Sequence, residues 1–214
     1  MCGRFVRYVS IPEVAEEFDA DHAGPDIRPS YNIPPGQDIA IIIGDRRRSL
    51  VLCKWGFIPT WSKDPSIGNR MINARAETVW EKTSFRSAFR KQRCLIAANG
   101  FYEWRKDGKV KTPVYIRLKS RNTFGFAALY NTWKSPEGNE LCTTTIITTE
   151  ANKMLDAVHN RMPVIIPRGK EAVWLDRDVH DKDALIPVMV PYPPEDMELT
   201  EVSSIDKIRK KVSF

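Results

Sequence analysis

A cysteine stands at position 2, directly behind the initiator methionine. Residue 2 is small, so an aminopeptidase, or the protein itself, could remove Met1. That would leave an α-amine and a thiol on one residue. Their ordinary pKa values are about 7.7–8.0 and about 8.5, so both are partly in reactive form near neutrality. A 1,2-aminothiol has one distinctive reaction. The amine condenses with an aldehyde to an imine, and the thiolate closes a thiazolidine ring. The ring outlasts a bare imine, which hydrolyses readily. An abasic deoxyribose in its ring-opened form offers such an aldehyde at C1′, reachable without base flipping. The other reading of Met1-Cys2-Gly3 is an ordinary second residue with Met1 retained.

The remaining cysteines, Cys53, Cys94 and Cys142, are far apart in sequence and lie within apolar runs. They read as small buried hydrophobes. With no CxxC pair and no clustered histidines, neither a metal site nor a disulfide framework is expected, and no cofactor is called for. No stretch approaches the length of a membrane span, and the first residues lack an apolar signal core. A cytoplasmic, nucleoid-associated or nuclear location is expected. The net charge of +6 suits a polyanionic partner, because lysines and arginines that neutralise phosphates release counterions.

The elements that must carry these residues are mostly strands. The chain has 214 residues, 42% of them hydrophobic, enough for one compact domain over 1–214, expected to be a monomer. Ser10-Ile11-Pro12-Glu13 has the form of a capping box, with Val14 and Phe18 on one face of the short helix behind it. Residues 24–37 are rich in Pro and Gly and read as a loop. Residues 39–43 and 49–57 read as a hairpin whose turn, Gly44-Asp45-Arg46-Arg47-Arg48, carries a basic triplet. Residues 59–76 read as irregular, and 77–91 as an amphipathic helix with Phe85 and Phe89 inward and Arg86, Arg90 and Arg93 on a neighbouring stripe. Five strands follow, beginning at RCLIAAN and FYEWRK, with a tight turn at Asp107-Gly108. A short helix over 151–158, another near 170–176 and a strand near 186–190 complete the reading. Strands do not alternate with long helices, so the class is α+β rather than a doubly wound sheet.

Several blocks, MCGRF, YNIPPG, WGFIPTW, INARAET, CLIAANGFYEW and HNRMPVII, resemble in order and spacing the SRAP family of SOS-response-associated peptidases or abasic-site processing proteins. The resemblance implies a curved, barrel-like, mainly antiparallel sheet with short helices. It implies covalent capture of abasic sites in single-stranded DNA by Cys2, AP-lyase-like chemistry and autocatalytic removal of Met1. It gives Asn73 a role in positioning the N-terminal residue and the sugar. It gives Glu103 a role in Met1 removal and proton transfer, and His159 one in opening the sugar and reversing the crosslink. Arg4, Arg75 and Arg161 are implied to hold phosphates, Trp61 and Pro35 to pack against flanking bases, and Thr148 to make a backbone contact. Some members carry an arginine where this chain has Thr83, so Arg86 is expected to take its place. Some have two adjacent tryptophans where this chain has Trp61-Ser62, which implies a smaller stacking wedge.

The residue types agree with those roles without dictating them. An acid between Tyr102 and Trp104 has its charged form disfavoured by desolvation, raising its pKa toward general-acid duty. It could equally face solvent from its strand. Imidazole titrates near neutrality and suits proton transfer to a ring oxygen, although a His before Asn160-Arg161 could be a plain cap. Asn73-Ala74-Arg75 offers an amide and a guanidinium from a loop, and Arg75 could instead pair with Glu77. Among six tryptophans, Trp61 is the one in an irregular, lysine-bearing segment and the one expected to stack on a base. His22 and His180 receive no role. Three other activities share features with this reading. An N-terminal-nucleophile amidohydrolase would use the same Cys2 against an amide. A single-strand-binding module would need no chemistry, and a general peptidase would cut other proteins.

Overall fold

A computed structural model of the chain describes residues 2–21, 27–44, 47–205 and 208. Met1, His22 and the tip of the basic turn at 45–46 lie outside the described residues. Among them run strands β1 (Phe5–Arg7), β2 (Ala20–Asp21), β3 (Ser30–Ile33), β4 (Asp38–Ile43), β5 (Arg48–Trp55), β6 (Asn73–Arg75) and β7 (Arg93–Ala98). Then follow β8 (Gly100–Asp107), β9 (Val110–Leu118), β10 (Phe124–Lys134), β11 (Glu140–Glu150), β12 (Arg161–Pro163) and β13 (Met197–Glu201). Four short α-helices accompany them: α1 (Ile11–Glu17), α2 (Arg86–Lys91), α3 (Glu171–Leu175) and α4 (Lys182–Leu185). The architecture is α+β, as the strand-rich sequence predicts.

The long strands close on themselves. β10, β7, β4 and β5 pair antiparallel in that order, β11 pairs antiparallel with β10, and β5 returns to β11 in parallel. Closure removes the unpaired edges of the ring strands. The ring strands are apolar on both faces because each face is covered. Ile42, Leu95, Ala97, Leu129 and Ile147 pack with Val14, Phe18, Phe89 and Trp174 from the helices. Ile41, Ile96, Phe126, Ala128 and Ile146 pack with Cys2, Phe5, Phe101 and Ile116 of a second sheet. That sheet runs β13-β9-β8-β1-β3. Cys2, three residues ahead of the first residue of β1, is thereby buried against the barrel.

Local chemistry explains most of the rest. The Ser10 capping box forms: Glu13 N donates to Ser10 Oγ, and Ser10 N donates to Glu13 Oε2 at 2.7 Å. The β8–β9 hairpin turns through Gly108 at φ +56°, where the sequence places it. Several expectations fail for identifiable reasons. Residues 30–33 are a strand, because the segment pairs with β1. Asn73-Ala74-Arg75 is likewise a strand, recruited in parallel by β11. The helix expected over 77–91 is confined to Arg86–Lys91, and Phe85 and Phe89 are nevertheless buried through turns. Arg93 leaves the helical stripe and is buried in β7, where its guanidinium donates to the Trp174, Asp176 and Val179 carbonyls. Residues 151–158 form consecutive turns rather than a helix, and 186–188 a 3-10 helix rather than a strand.

Cys53 and Cys142 correct a further expectation. β5 and β11 are parallel neighbours, with Lys54 opposite Thr143, so the two cysteines sit side by side with Cα atoms 4.6 Å apart and their sulfurs bonded. A separation of 89 residues hid a pair that parallel pairing across the barrel seam brings together.

One glycine fixes the approach to the site. Gly56, at the end of β5, has φ +144°, and a Cβ there would lie 2.8 Å from the Gly68 carbonyl oxygen. The close approach lets Phe57 N donate to Met71 O and Trp55 Nε1 donate to Ile72 O, which together deliver Asn73. Gly56→Ala combines a forbidden backbone conformation with a backbone clash and should destabilise by about 2–4 kcal/mol. A denaturant midpoint equal to wild type would contradict this.

Candidate functional site

Three segments meet at Cys2. Antiparallel pairing of β1 with β8 aligns Phe5 with Phe101, and Tyr102 N donates to Arg4 O at 2.9 Å. The same register continued brings Glu103 alongside the first residues. From the other side, β6 presents Asn73, whose Nδ2 donates to the Cys2 carbonyl at 3.0 Å. The amide pins the residue from which the chemistry would start. Asn73 Oδ1 is buried and has no hydrogen-bond partner among the described residues, so the site holds an acceptor in reserve.

Electrostatics at the centre are set by burial. Burial raises the Cys2 thiol pKa far above its ordinary value, and the nearby Glu103 charge raises it further. That shift belongs to the chain that still carries Met1, in which burial disfavours the thiolate of Cys2. Glu103 is itself almost fully buried, and desolvation raises its pKa above the ordinary carboxyl value despite the opposing charge of the amino terminus. Its side chain faces the interior, not solvent. His159 sits half-buried after the 151–158 turns. Arg161 N donates to its Nδ1 at 3.0 Å, which leaves Nε2 to carry the proton of the neutral ring. Burial first, then the positive charges of the amino terminus, Lys106 and Arg161, lower its pKa, so the imidazole is neutral at pH 7.

The expected phosphate-binding residues divide. Arg4 is half-buried beside Cys2, and its Nη1 donates to Asn32 Oδ1 at 2.8 Å. Arg75 stands exposed on β6, two residues beyond Asn73. Arg161 is fixed in a fork. Its Nη1 and Nη2 donate to the two carboxylate oxygens of Glu77 at 2.6 and 3.0 Å, and Nη2 also donates to Thr148 O at 2.6 Å. Glu77 thus pairs with Arg161 rather than with Arg75. Partial burial acts to raise the Glu77 pKa, but the hydrogen bonds and charge of Arg161, its own amide and the Arg75 charge outweigh it and leave it lowered. Thr148 stands behind this fork. It is fully buried in β11, its hydroxyl donates to Ala74 O at 3.4 Å, and its carbonyl accepts from Ala76 N and Arg161. Its carbonyl helps orient Arg161.

The outer residues lie apart from this centre. Trp61 is 57% exposed, the most open of the tryptophans, and borders a cavity of about 390 Å³ with Lys63 and Lys134. Trp55, Trp133 and Trp174 are core. Pro35 is half-buried in the turn between β3 and β4. Arg86 is exposed on α2, and no contact among the described residues ties it to Cys2. Asn32, which holds Arg4, was not singled out by the sequence, and Glu77, which holds Arg161, was named only as a partner for Arg75. Their place beside functional blocks, in YNIPPG and INARAET, was the available signal.

A closed barrel that buries Cys2, near the start of the chain, against an asparagine amide and a desolvated acid defines the class of site. Its fold is shared with a crystal structure from Bacteroides thetaiotaomicron, which is 27% identical, with a TM-score of 0.90 and coverage of 99% of this chain and 95% of that one. The family model described as SOS response associated peptidase (SRAP) matches residues 1–206, and the chain belongs to that family. It is 46% identical to abasic site processing protein YoqW of Bacillus subtilis (strain 168), over 96% of this chain and 93% of the relative. It is 31% identical to abasic site processing protein HMCES of Xenopus tropicalis, over 83% and 62% respectively.

Proposed function

We propose that this protein processes abasic sites in single-stranded DNA by linking itself to them through Cys2. The observation that carries the reading is the Cys2–Asn73–Glu103 cluster, which holds the start of the chain beside a buried acid. The relatives named for abasic site processing carry the same implication for the substrate.

Removal of Met1 comes first: water adds to the Met1–Cys2 amide, and Glu103 moves the proton onto the amine being released. The freed amine then attacks C1′ of the ring-opened sugar. Loss of water gives an imine, with the proton for the departing hydroxyl supplied by Glu103. The thiol adds across the C=N bond, its sulfur binding carbon and its proton reaching nitrogen. A thiol with a raised pKa suits this order, because the amine reacts first and the thiol closes the ring on an electrophile already in place. Asn73 holds the Cys2 carbonyl, and its unsatisfied Oδ1 is available to a sugar hydroxyl. Arg4, Arg75, Arg161 and Arg86 bind the backbone, while Trp61 and Pro35 receive flanking bases. AP-lyase-like strand cleavage would follow from the same imine where ring closure fails.

Intact mass tests the reading directly. Protein lacking Met1, incubated with a uracil-excised single-stranded oligonucleotide, should gain the mass of the oligonucleotide less one water and keep it under denaturing conditions. No stable addition would end the proposal. His159→Ala bears on the reverse direction. Neutral His159 is suited to shuttle the proton that reopens the ring, so the variant should release its adduct about tenfold more slowly or worse. Faster release, followed by gel over time, would remove His159 from that role.

A further inference from the structure

The β8 strand does not end at the site. Beyond Glu103 it continues through Trp104, Arg105, Lys106 and Asp107, turns at Gly108, and returns as β9 through Lys109, Val110 and Lys111. The neighbouring strands stop short. β1 pairs with β8 only at Gly100 and Phe101, and β13 pairs with β9 only from Val114 to Leu118. The outer hairpin is thus a two-stranded ribbon standing clear of the sheet, with residues 106–111 all exposed. From Glu103 to Asp107 it reaches about 13 Å.

Two features of the ribbon run against stability. Lys106 and Lys111 are directly opposite each other, and like charges in that register are destabilising. Val110 is 63% exposed at the tip, an apolar side chain with no packing to offset it. Asp107 is the ribbon's one acidic residue against Lys106, Lys109 and Lys111, and Arg105 already pairs with Glu201. Lys106 is also close enough to the site for its charge to act on His159. The concentration of cations is therefore continuous with the Cys2 centre and unmatched on the ribbon itself.

We propose that the β8–β9 hairpin is a basic arm that binds the sugar-phosphate backbone of the single strand leaving the Cys2 centre on one side. This rests on the function proposed above and extends it to a surface outside the crosslinking residues. A polyanion laid along the ribbon removes the Lys106–Lys111 repulsion, and Val110 meets the edge of a base rather than water. The arm gives the complex a one-sided footprint.

The test uses the full chain with Lys109→Gln and Lys111→Gln together, leaving Lys106 intact because its charge reaches His159. The probes are single strands bearing a non-reactive tetrahydrofuran site with the flank extended on the 5′ side, the 3′ side or neither. For the strand extended on one side, the slope of log affinity against log salt should fall by about 1.4, two contacts at roughly 0.7 each. The strand without extensions should bind as it does to wild type, and arginine at both positions should restore the slope. An unchanged slope, equal losses on all three strands, or a loss seen only when the flank is duplex would each overturn the proposal. Failure of the wild type to crosslink a reactive abasic strand would instead refute the proposed function, and would leave the binding result standing separately.

Discussion

Cys2→Ala should abolish the denaturant-resistant complex with an abasic strand while leaving non-covalent affinity within about twofold of wild type. The amine of the variant still forms an imine, but without sulfur the imine returns to free aldehyde. The prediction separates chemistry from recognition, because the arginines and Trp61 proposed to hold DNA are untouched. Cys2 is packed with Phe5, Ile33 and Phe101, so the choice of replacement matters. Serine would bury a hydroxyl in that cluster at a cost of about 1–3 kcal/mol if it found no partner. Alanine removes the thiol without adding a polar group, and is the cleaner variant. Unchanged covalent attachment with Cys2→Ala, read on a denaturing gel, would assign the link to another residue. A companion expectation follows from the raised thiol pKa. A neutral alkylating reagent should modify the folded protein at Cys2 far more slowly than the unfolded chain, since the thiolate is the reacting form.

How much of this was legible beforehand depended on whether the causes were local. The capping box at Ser10, the Asp107-Gly108 turn and the long apolar strands follow from near neighbours in sequence, and they form as read. Burial of Glu103 between Tyr102 and Trp104 was legible as a possibility only, since the alternation of a strand does not say which face a second sheet will cover. The misread segments share a non-local cause. Residues 30–33 and 73–75 are too short and too polar to declare themselves as strands, and they become strands because β1 and β11 offer free edges. Cys53 and Cys142 meet only because the barrel closes in parallel at β5 and β11. The Glu77–Arg161 fork joins residues 84 apart, and neither side chain announces the other. The site itself was legible as a set of residues through motif order, whereas its energetics required the fold. The raised thiol pKa and the unsatisfied Asn73 amide oxygen are properties of burial.

Glu103→Gln should slow both Met1 removal and crosslinking by about a hundredfold or more, the usual contribution of a positioned general acid or base. Glutamine keeps the shape and can still hydrogen-bond, but it cannot exchange a proton. The pH dependence gives the sharper check. Burial raises the Glu103 pKa, so the wild-type acid keeps its proton at pH values where an ordinary carboxyl has lost it. Crosslinking by wild type should decline as pH rises through that raised value, and the variant should lack this limb. Stability moves in the same sense. A carboxyl whose folded-state pKa lies above its unfolded value contributes stability that is full below the unfolded pKa and is lost as pH rises through the folded one. Glutamine removes that loss, so toward neutral pH the variant should melt at the wild-type temperature or above it. A slow variant that is also less stable at neutral pH would mean that Glu103 supports the fold. A stable variant with an unaltered pH profile would mean that the proton comes from elsewhere.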